Sequence, residues 1–141
     1  MKRFKKTKAQ SGAALIEFAI VLPLLLMLIF GMIEFSVMLY DKAMITNASR
    51  EGTRAGIVYA FPDRLSDAEI SAVVTDYLQG HMISLGGPSA PNIVVSGQCV
   101  DSGDQLSVTV TYPYHFFVLP NFIASLSGTT TLSAVTTMRC E

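Results

Sequence analysis

The sequence predicts an α+β protein with a long hydrophobic N-terminal helix that spans a membrane, a second short helix, and a small antiparallel β-sheet of about three strands. Three observations support this class. A basic N-terminal segment leads into a nearly continuous apolar run, a helix-capping sequence follows it, and the last third of the chain alternates apolar and polar residues. These are the patterns of a membrane-spanning helix, a surface helix and half-buried strands.

The junction between the basic segment and the apolar run is the most informative part of the chain. Five cations and no acidic residue precede Gly12, namely Lys2, Arg3, Lys5, Lys6 and Lys8. The chain is then apolar from Phe18 to Ile33, and about 20 apolar residues span a bilayer. Glu17 interrupts the start of the run, although a charge near the middle of a spanning helix costs about 2.5–3.5 kcal/mol.

Three arrangements of this N-terminus are possible. The run is longer than the 7–15 apolar residues typical of a secretory signal peptide, and no convincing Ala-x-Ala cleavage pattern follows it. An uncleaved signal anchor remains open. In the third arrangement the chain is cut after Gly12, which removes the cations and makes Ala13 the new N-terminal residue.

The third arrangement resembles the type IV pilin class, which has a basic leader, a glycine at the cleavage point and a glutamate as fifth mature residue. Within that class the chain is most similar to the TadE-like minor pilins, or pseudopilins, of tight-adherence (Flp) pilus systems. The resemblance continues through Gly31-Met32-Ile33-Glu34-Phe35 and the segment Asn47 to Arg54, and it covers roughly residues 11–56. Ala13 replaces the phenylalanine of many type IV pilins, and Phe18 stands where major Flp pilins tend to have tyrosine.

The resemblance implies a structural or assembly-priming subunit of the pilus, cleaved after Gly12 by a prepilin peptidase. The expected organisation is a leader at residues 1–12, a spanning and extended helix at 13–60, and an extracytoplasmic α+β domain at 61–141. The expected partners are the membrane, the prepilin peptidase, other pilins and the assembly machinery.

Glu17 acquires a possible partner when the leader is removed, because the cut creates an α-amino group at Ala13. Residues four apart share one face of a helix, so the amine and the carboxylate can pair within the chain. They can also pair between neighbouring subunits and so set their register. The sequence therefore predicts an assembly role for Glu17, with simple snorkelling to the interface as the alternative.

Charge distribution predicts the orientation and does not point to nucleic-acid binding. The cations concentrate before the span, so the N-terminus is expected on the cytoplasmic side of the inner membrane and the rest outside. A net charge of −1 gives no reason to expect nucleic acid. About 100 residues remain after the anchor, enough for one compact domain.

Within the long helix, Pro23 is expected to loosen the backbone locally, and Glu34 is expected to reach the outer headgroup region. The helix should continue to about residue 60, weakened near Gly56. The Gly52-x-x-x-Gly56 spacing resembles a close-packing motif, but it lies outside the apolar run to which that signal applies. The charged side chains beside it are expected on a solvated face, namely Arg50, Glu51 and Arg54.

The second helix is predicted from Ser66 and Glu69, which have the spacing of a capping box, with Gly80 as its stop. Its predicted apolar face is Ile70, Val73, Val74, Tyr77 and Leu78. Strands are predicted around Ile93–Val95, Leu106–Tyr112 and Thr130–Arg139. The aromatic residues between the last two are expected to pack on the sheet, namely Phe116, Phe117 and Phe122, together with Ile123.

The two cysteines, Cys99 and Cys140, are expected to form a disulfide because an extracytoplasmic location permits one. If the strands form a meander, however, the outer two lie about 9–10 Å apart, beyond disulfide reach unless their ends curl together. Two free thiols or another strand order are the alternatives.

No catalytic residue, cofactor site or metal site is predicted. His81 and His115 lack partners with metal-site spacing, and the chain contains no phosphate-binding loop or nucleophile elbow. No small-molecule substrate is expected. The alternative function, from a different class, is an uncleaved single-span protein with a small outer domain that binds a ligand or partner.

Overall fold

The computed structural model describes residues 9–58, 64–83, 90–116 and 130–141. Helix α1 (Ala9–Ile57) comes first and helix α2 (Asp67–Leu78) follows. Strands β1 (Asn92–Ser96), β2 (Gln105–Tyr114) and β3 (Thr130–Arg139) form one antiparallel sheet in the order β1-β2-β3. The predicted α+β class is confirmed. The basic residues 2–8 and the expected boundary at residues 60–61 lie outside the described residues, so that boundary remains a prediction.

Helix α1 is 49 residues long, and its two halves have different surroundings. In the first half, side chains from Leu15 to Ile33 stand exposed although nearly all are apolar. This segment is long and apolar enough to cross a membrane, and 0% of its most apolar 18-residue window is buried against the rest of the protein. It is therefore not the core helix of the domain. Pro23 lies inside the helix, where it lacks the N–H for the bond to the preceding turn.

The second half of α1 forms one layer of the compact domain. A stripe of residues at helical spacing faces the sheet and α2 and is buried; it consists of Glu34, Asp41, Ile45, Ala48, Ser49, Gly52, Thr53 and Gly56. The opposite face carries Arg50, Glu51 and Arg54, which are exposed as predicted. The compact unit thus includes the helix from about Glu34 onward as well as the residues that follow it.

The two glycines of this stripe allow α1 to approach its neighbours closely. A Cβ atom added to Gly52 would lie 2.3 Å from Cγ2 of Val74, and one added to Gly56 would lie 2.4 Å from Cδ2 of Leu106. Both distances are shorter than real contacts between carbon atoms. The expectation that the Gly-x-x-x-Gly spacing has no packing role outside the apolar run is therefore wrong. Here the motif packs a helix against α2 and the sheet rather than against a second membrane helix.

Helix α2 has the predicted ends. The Ser66 hydroxyl accepts a hydrogen bond from the Glu69 N–H, and the Glu69 carboxylate accepts one from the Ser66 N–H, which completes a capping box. Gly80 follows the helix with a φ of 84°, a left-handed conformation that favours glycine. Of the predicted apolar face, Ile70, Val74 and Leu78 are buried, and Val73 and Tyr77 are half-buried.

The sheet has one face toward the helices and one face that no described element covers, which is called the open face below. Strand β2 alternates as predicted, with Leu106, Val108, Val110, Tyr112 and Tyr114 all buried toward α1 and α2. Strand β3 contributes Leu132 and Ala134 to the same core. Alternation places the intervening residues on the opposite side of the sheet. Phe116 packs edge-on against Tyr114, whereas the aromatic residues from 117 to 129 lie outside the described part of the chain.

A disulfide joins Cys99 and Cys140, with their Cα atoms 5.6 Å apart. The strand order is the meander, for which a distance beyond disulfide range was expected. The connection from β1 to β2 explains how Cys99 comes close to Cys140. Gly97 has a φ of 89°, and a Cβ there would lie 2.1 Å from the Gln105 carbonyl oxygen, so the chain crosses tightly over the start of β2. Asp104 then holds the end of β3, because its carbonyl accepts a 2.8 Å bond from the Cys140 N–H.

Candidate processing and assembly site

The predicted cleavage point lies in the first turn of α1. The first described residue of the helix is Ala9, and the bond between Gly12 and Ala13 lies three residues further along. No atom outside the local backbone lies within 4 Å of a Cβ added to Gly12, so the surroundings of this residue are open. Glycine costs about 1 kcal/mol relative to alanine in a helix. The glycine therefore favours local unwinding of α1 into the extended backbone that a peptidase would bind.

Ala13 and Glu17 are both exposed and lie four residues apart on α1. This spacing places them on one face of the helix, one turn from each other. In the described part of the chain nothing packs over this turn, so both residues are accessible to a neighbouring molecule as well as to each other. Their surroundings continue into the exposed apolar surface, which includes Leu15, Ile16, Phe18 and Ile20. The predicted processing and assembly residues thus share one end of the projecting half of α1.

A second polar site lies where the projecting helix meets the domain. The Glu34 side chain is only 1% exposed, so it faces the domain and not the lipid or water of the expected headgroup position. The Tyr114 hydroxyl donates a 3.2 Å hydrogen bond to the Glu34 carbonyl oxygen. Burial raises the pKa of Tyr114 to about 12, with further contributions from the negative charges of Glu34 and Asp41 and from Tyr112. Tyr114 therefore stays protonated at neutral pH and can serve as a permanent donor at this junction.

Asp41 lies two turns further along the same face. Its Oδ1 atom accepts a 3.1 Å hydrogen bond from the Ile83 N–H, which ties the segment after α2 to α1. Its Oδ2 atom is buried without a hydrogen-bond partner. Burial raises the pKa of this carboxyl, and the bond from Ile83 offsets only part of that effect. Burial thus disfavours the charged form of Asp41 in an otherwise well-packed layer.

Hydroxyl groups complete the polar contacts between α1 and the sheet. Ser49 bonds to the Val108 carbonyl oxygen at 3.1 Å and to the Thr136 hydroxyl at 2.6 Å. The Thr53 hydroxyl is 3.3 Å from the Thr136 carbonyl oxygen, and the Lys42 ammonium donates to the carbonyl of Ser133. Apart from the bond to Val108 on β2, these bonds run along β3 and hold the helix to that edge of the sheet.

The sequence did not identify this buried polar stripe, although a signal was present. Its members recur at intervals of three, four and seven residues from Glu34 to Gly56, and most are small. Such spacing predicts a helix that approaches another element closely. Among the described residues there is no group of three or more metal-binding side chains.

An exposed apolar helix long enough to cross a bilayer continues into a small α+β domain, an arrangement that fits a membrane anchor. The sequence profile of the family described as "TadE-like protein" matches residues 12–54. Over nearly all of α1 the chain is therefore similar to TadE-like proteins, and the resemblance noted in the sequence is confirmed. This similarity associates the chain with Tad (Flp) pilus systems. Searches of curated proteins and of solved structures gave no match.

Proposed function

We propose that the chain is a minor pilin, or pseudopilin, that forms part of a tight-adherence pilus or primes its assembly. A prepilin peptidase cleaves it after Gly12, and the mature chain is held in the inner membrane by α1 with its domain on the extracytoplasmic side. Its partners are the peptidase, other pilins and the assembly machinery. The role is structural, and no catalytic residue is assigned.

The observation that carries this proposal is the division of α1 into two halves. A core helix of a soluble domain would bury its apolar surface, whereas this helix leaves it exposed from Leu15 to Ile33. The same helix is packed into the domain from Glu34 onward. The anchor and the domain are thus joined without a flexible linker, so a helix that packs among others in a filament would fix the position of its domain.

Glu17 is the proposed assembly residue, and its position supports this role. It is the fifth residue of a chain that begins at Ala13, and it is exposed on a surface that is otherwise apolar. A carboxylate inside a packed bundle of apolar helices requires a compensating charge. The α-amino group released at Ala13, in the same or an adjacent subunit, supplies it.

Processing is tested by replacing Gly12 with valine in cells that contain the pilus machinery and peptidase. A bulky β-branched side chain at the cleaved position should crowd the peptidase, so we expect a full-length precursor in the membrane fraction. Intact mass distinguishes this species from a mature chain that begins at Ala13. Gly31→Val is the matched control, since Gly31 lies in the same helix and also has open surroundings.

Trimming of the Gly12→Val variant at the normal position would contradict the assignment of Gly12. If the unmodified chain keeps residues 1–12 in the presence of an active peptidase, the alternative of an uncleaved single-span protein replaces the pilin proposal.

A further inference from the structure

The open face of the sheet has an unusual composition for a surface that faces water. Strand register aligns three residues across its middle, because Val94 pairs with Thr109 and Thr109 pairs with Val135. The two valines are 49% and 62% exposed, so none of the described residues covers them. The adjacent rows are polar but uncharged: Asn92, Thr111 and Ser133 on one side, and Ser96, Ser107 and Thr137 on the other. Arg139, at one end of β3, is the one charged residue on this face of the three strands.

The contrast with the helical side of the domain argues against a merely solvated face. Antiparallel sheets often leave one face in water, and solvated faces usually carry charges. The exposed faces of the two helices do so, with Arg50, Glu51 and Arg54 on α1 and Asp67, Glu69 and Asp76 on α2. The sheet instead presents an apolar row between hydroxyl groups. Some of these hydroxyls are already held in place, since Thr137 donates a 3.0 Å hydrogen bond to Ser107.

The direction of α1 relative to the strands determines where this face points. Glu34 contacts Tyr114 near one end of β2, and Gly56 contacts Leu106 near the other. These 22 helical residues span about 33 Å, and the eight strand residues about 27 Å, so helix and strands run along each other. With the first half of α1 in the bilayer, the strands lie close to the membrane normal. The open face is then turned sideways, toward other chains anchored in the same membrane.

We propose that this open face is a homotypic contact, which packs against the same face of a second copy anchored beside it. A two-fold axis along the membrane normal keeps both copies at one height and exchanges the two edges of the sheet. Thr109 then meets Thr109 of the other copy, and Val94 meets its Val135. The apolar row is therefore complementary to itself. Hydroxyl groups can both donate and accept, so the flanking rows are self-complementary too, and no charge near the centre opposes the approach.

The size of the face indicates why the contact depends on anchoring. Ten residues of β2 and three strands give a face on the order of 500 Å². A stable interface typically buries about 800 Å² per partner. The face alone would therefore hold two free molecules only weakly, whereas confinement to one membrane in one orientation raises their effective concentration. The inference thus rests on the anchoring part of the proposed function, and not on cleavage or filament formation.

Cross-linking of the full-length chain in membranes tests the arrangement. Packed sheets lie about 10 Å apart, too far for a direct disulfide, so a short bis-maleimide is the suitable reagent. Cys99 and Cys140 are paired and do not compete for it. We expect Thr109→Cys to give at least fivefold more cross-linked dimer than Ala72→Cys, an exposed control on α2. A copy with Val94→Cys should cross-link to a copy with Val135→Cys more than to another Val94→Cys.

Charge substitutions test whether the contact is homotypic. These substitutions are added to the pair of copies that carry Val94→Cys and Val135→Cys. Thr109→Lys in both copies should reduce the cross-link at least fivefold, and so should Thr109→Glu in both copies, because like charges then meet. One lysine copy with one glutamate copy should restore it. Unchanged thermal unfolding of each variant confirms that the fold is intact.

Equal cross-linking at positions 109 and 72 would overturn the proposal, and so would capture of a different protein through Thr109→Cys in place of a second copy. Membrane fractionation of the same samples separates the two proposals. Chain that is membrane-bound but not cross-linked refutes the face contact alone, whereas chain outside the membrane fraction refutes the anchor on which both depend.

Discussion

Replacement of Gly52 by alanine tests whether α1 is packed against α2 as closely as the structure shows. The new Cβ would lie 2.3 Å from Cγ2 of Val74, a fully buried residue. A β-branched side chain in a helix has essentially one χ1 rotamer, so this methyl group cannot rotate away. Overpacking of this kind costs about 1–3 kcal/mol. Alanine gains about 1 kcal/mol over glycine in helix propensity. The expected net loss in the free energy of unfolding is therefore about 0–2 kcal/mol.

A double-mutant cycle with Val74→Ala makes this prediction sharper. Val74→Ala removes the obstructing methyl, and the next atoms, on Ile70 and Val108, are both 3.7 Å away, which is ordinary contact. In that background Gly52→Ala should stabilise the protein by about 1 kcal/mol. The same substitution thus changes sign, and the coupling between the two sites should be about 1–3 kcal/mol.

The assay is urea unfolding of the full chain in detergent. It is followed by tyrosine fluorescence, since the chain has five tyrosines and no tryptophan. Gly31→Ala is the control, because nothing lies within 4 Å of its added Cβ and the domain transition should not move. If Gly52→Ala stabilises the unmodified protein as much as it stabilises the Val74→Ala variant, the close helix contact is refuted.

Three further predictions concern charge, covalent structure and assembly. Burial raises the pKa of Asp41 in the folded protein above its unfolded value of about 4, so the free energy of unfolding should fall as pH rises through this range. Asp41→Asn should flatten this slope. Equal slopes in urea titrations of the two proteins would refute the assignment. Replacing Cys99 and Cys140 by serine should lower the free energy of unfolding by about 3–4 kcal/mol, measured by urea unfolding, and reactive thiols in the native unmodified protein would show that the bridge is absent. Glu17→Ala should leave membrane retention and cleavage near normal but give few or no filaments. Wild-type filament numbers would show that Glu17 is only a tolerated boundary charge. Failure of cleavage would instead assign Glu17 to peptidase recognition.

Features with a local cause were predictable from the sequence. The capping box of α2 depends on two residues three apart, and the strands β2 and β3 depend on alternation within ten residues. The apolar half of α1 could likewise be recognised from length and composition alone. In each case the residues that determine the structure are neighbours in the chain.

Features that depend on distant residues were missed. Gly52 and Gly56 looked like helix-weakening residues. Their role is to let α1 pack closely against Val74, Ile70 and Leu106, and no local pattern connects the glycines to those residues. Glu34 looked interfacial because its burial depends on the domain that follows, which includes Tyr114, 80 residues later, whose hydroxyl bonds to the Glu34 carbonyl oxygen. The reach between the cysteines depended on a left-handed turn at Gly97, which bends one connection over the neighbouring strand.

The alignment of α1 with the strands has a mechanical consequence. A force that pulls the anchor along its own axis loads the contacts between α1 and the sheet in shear. The bonds from Lys42, Ser49 and Thr53 to the sheet, and the packing at Gly56, then resist the force together and are not broken one after another. A helix laid across the strands would instead peel away from one end. The packing of α1 against the sheet therefore resists a force applied along the helix axis.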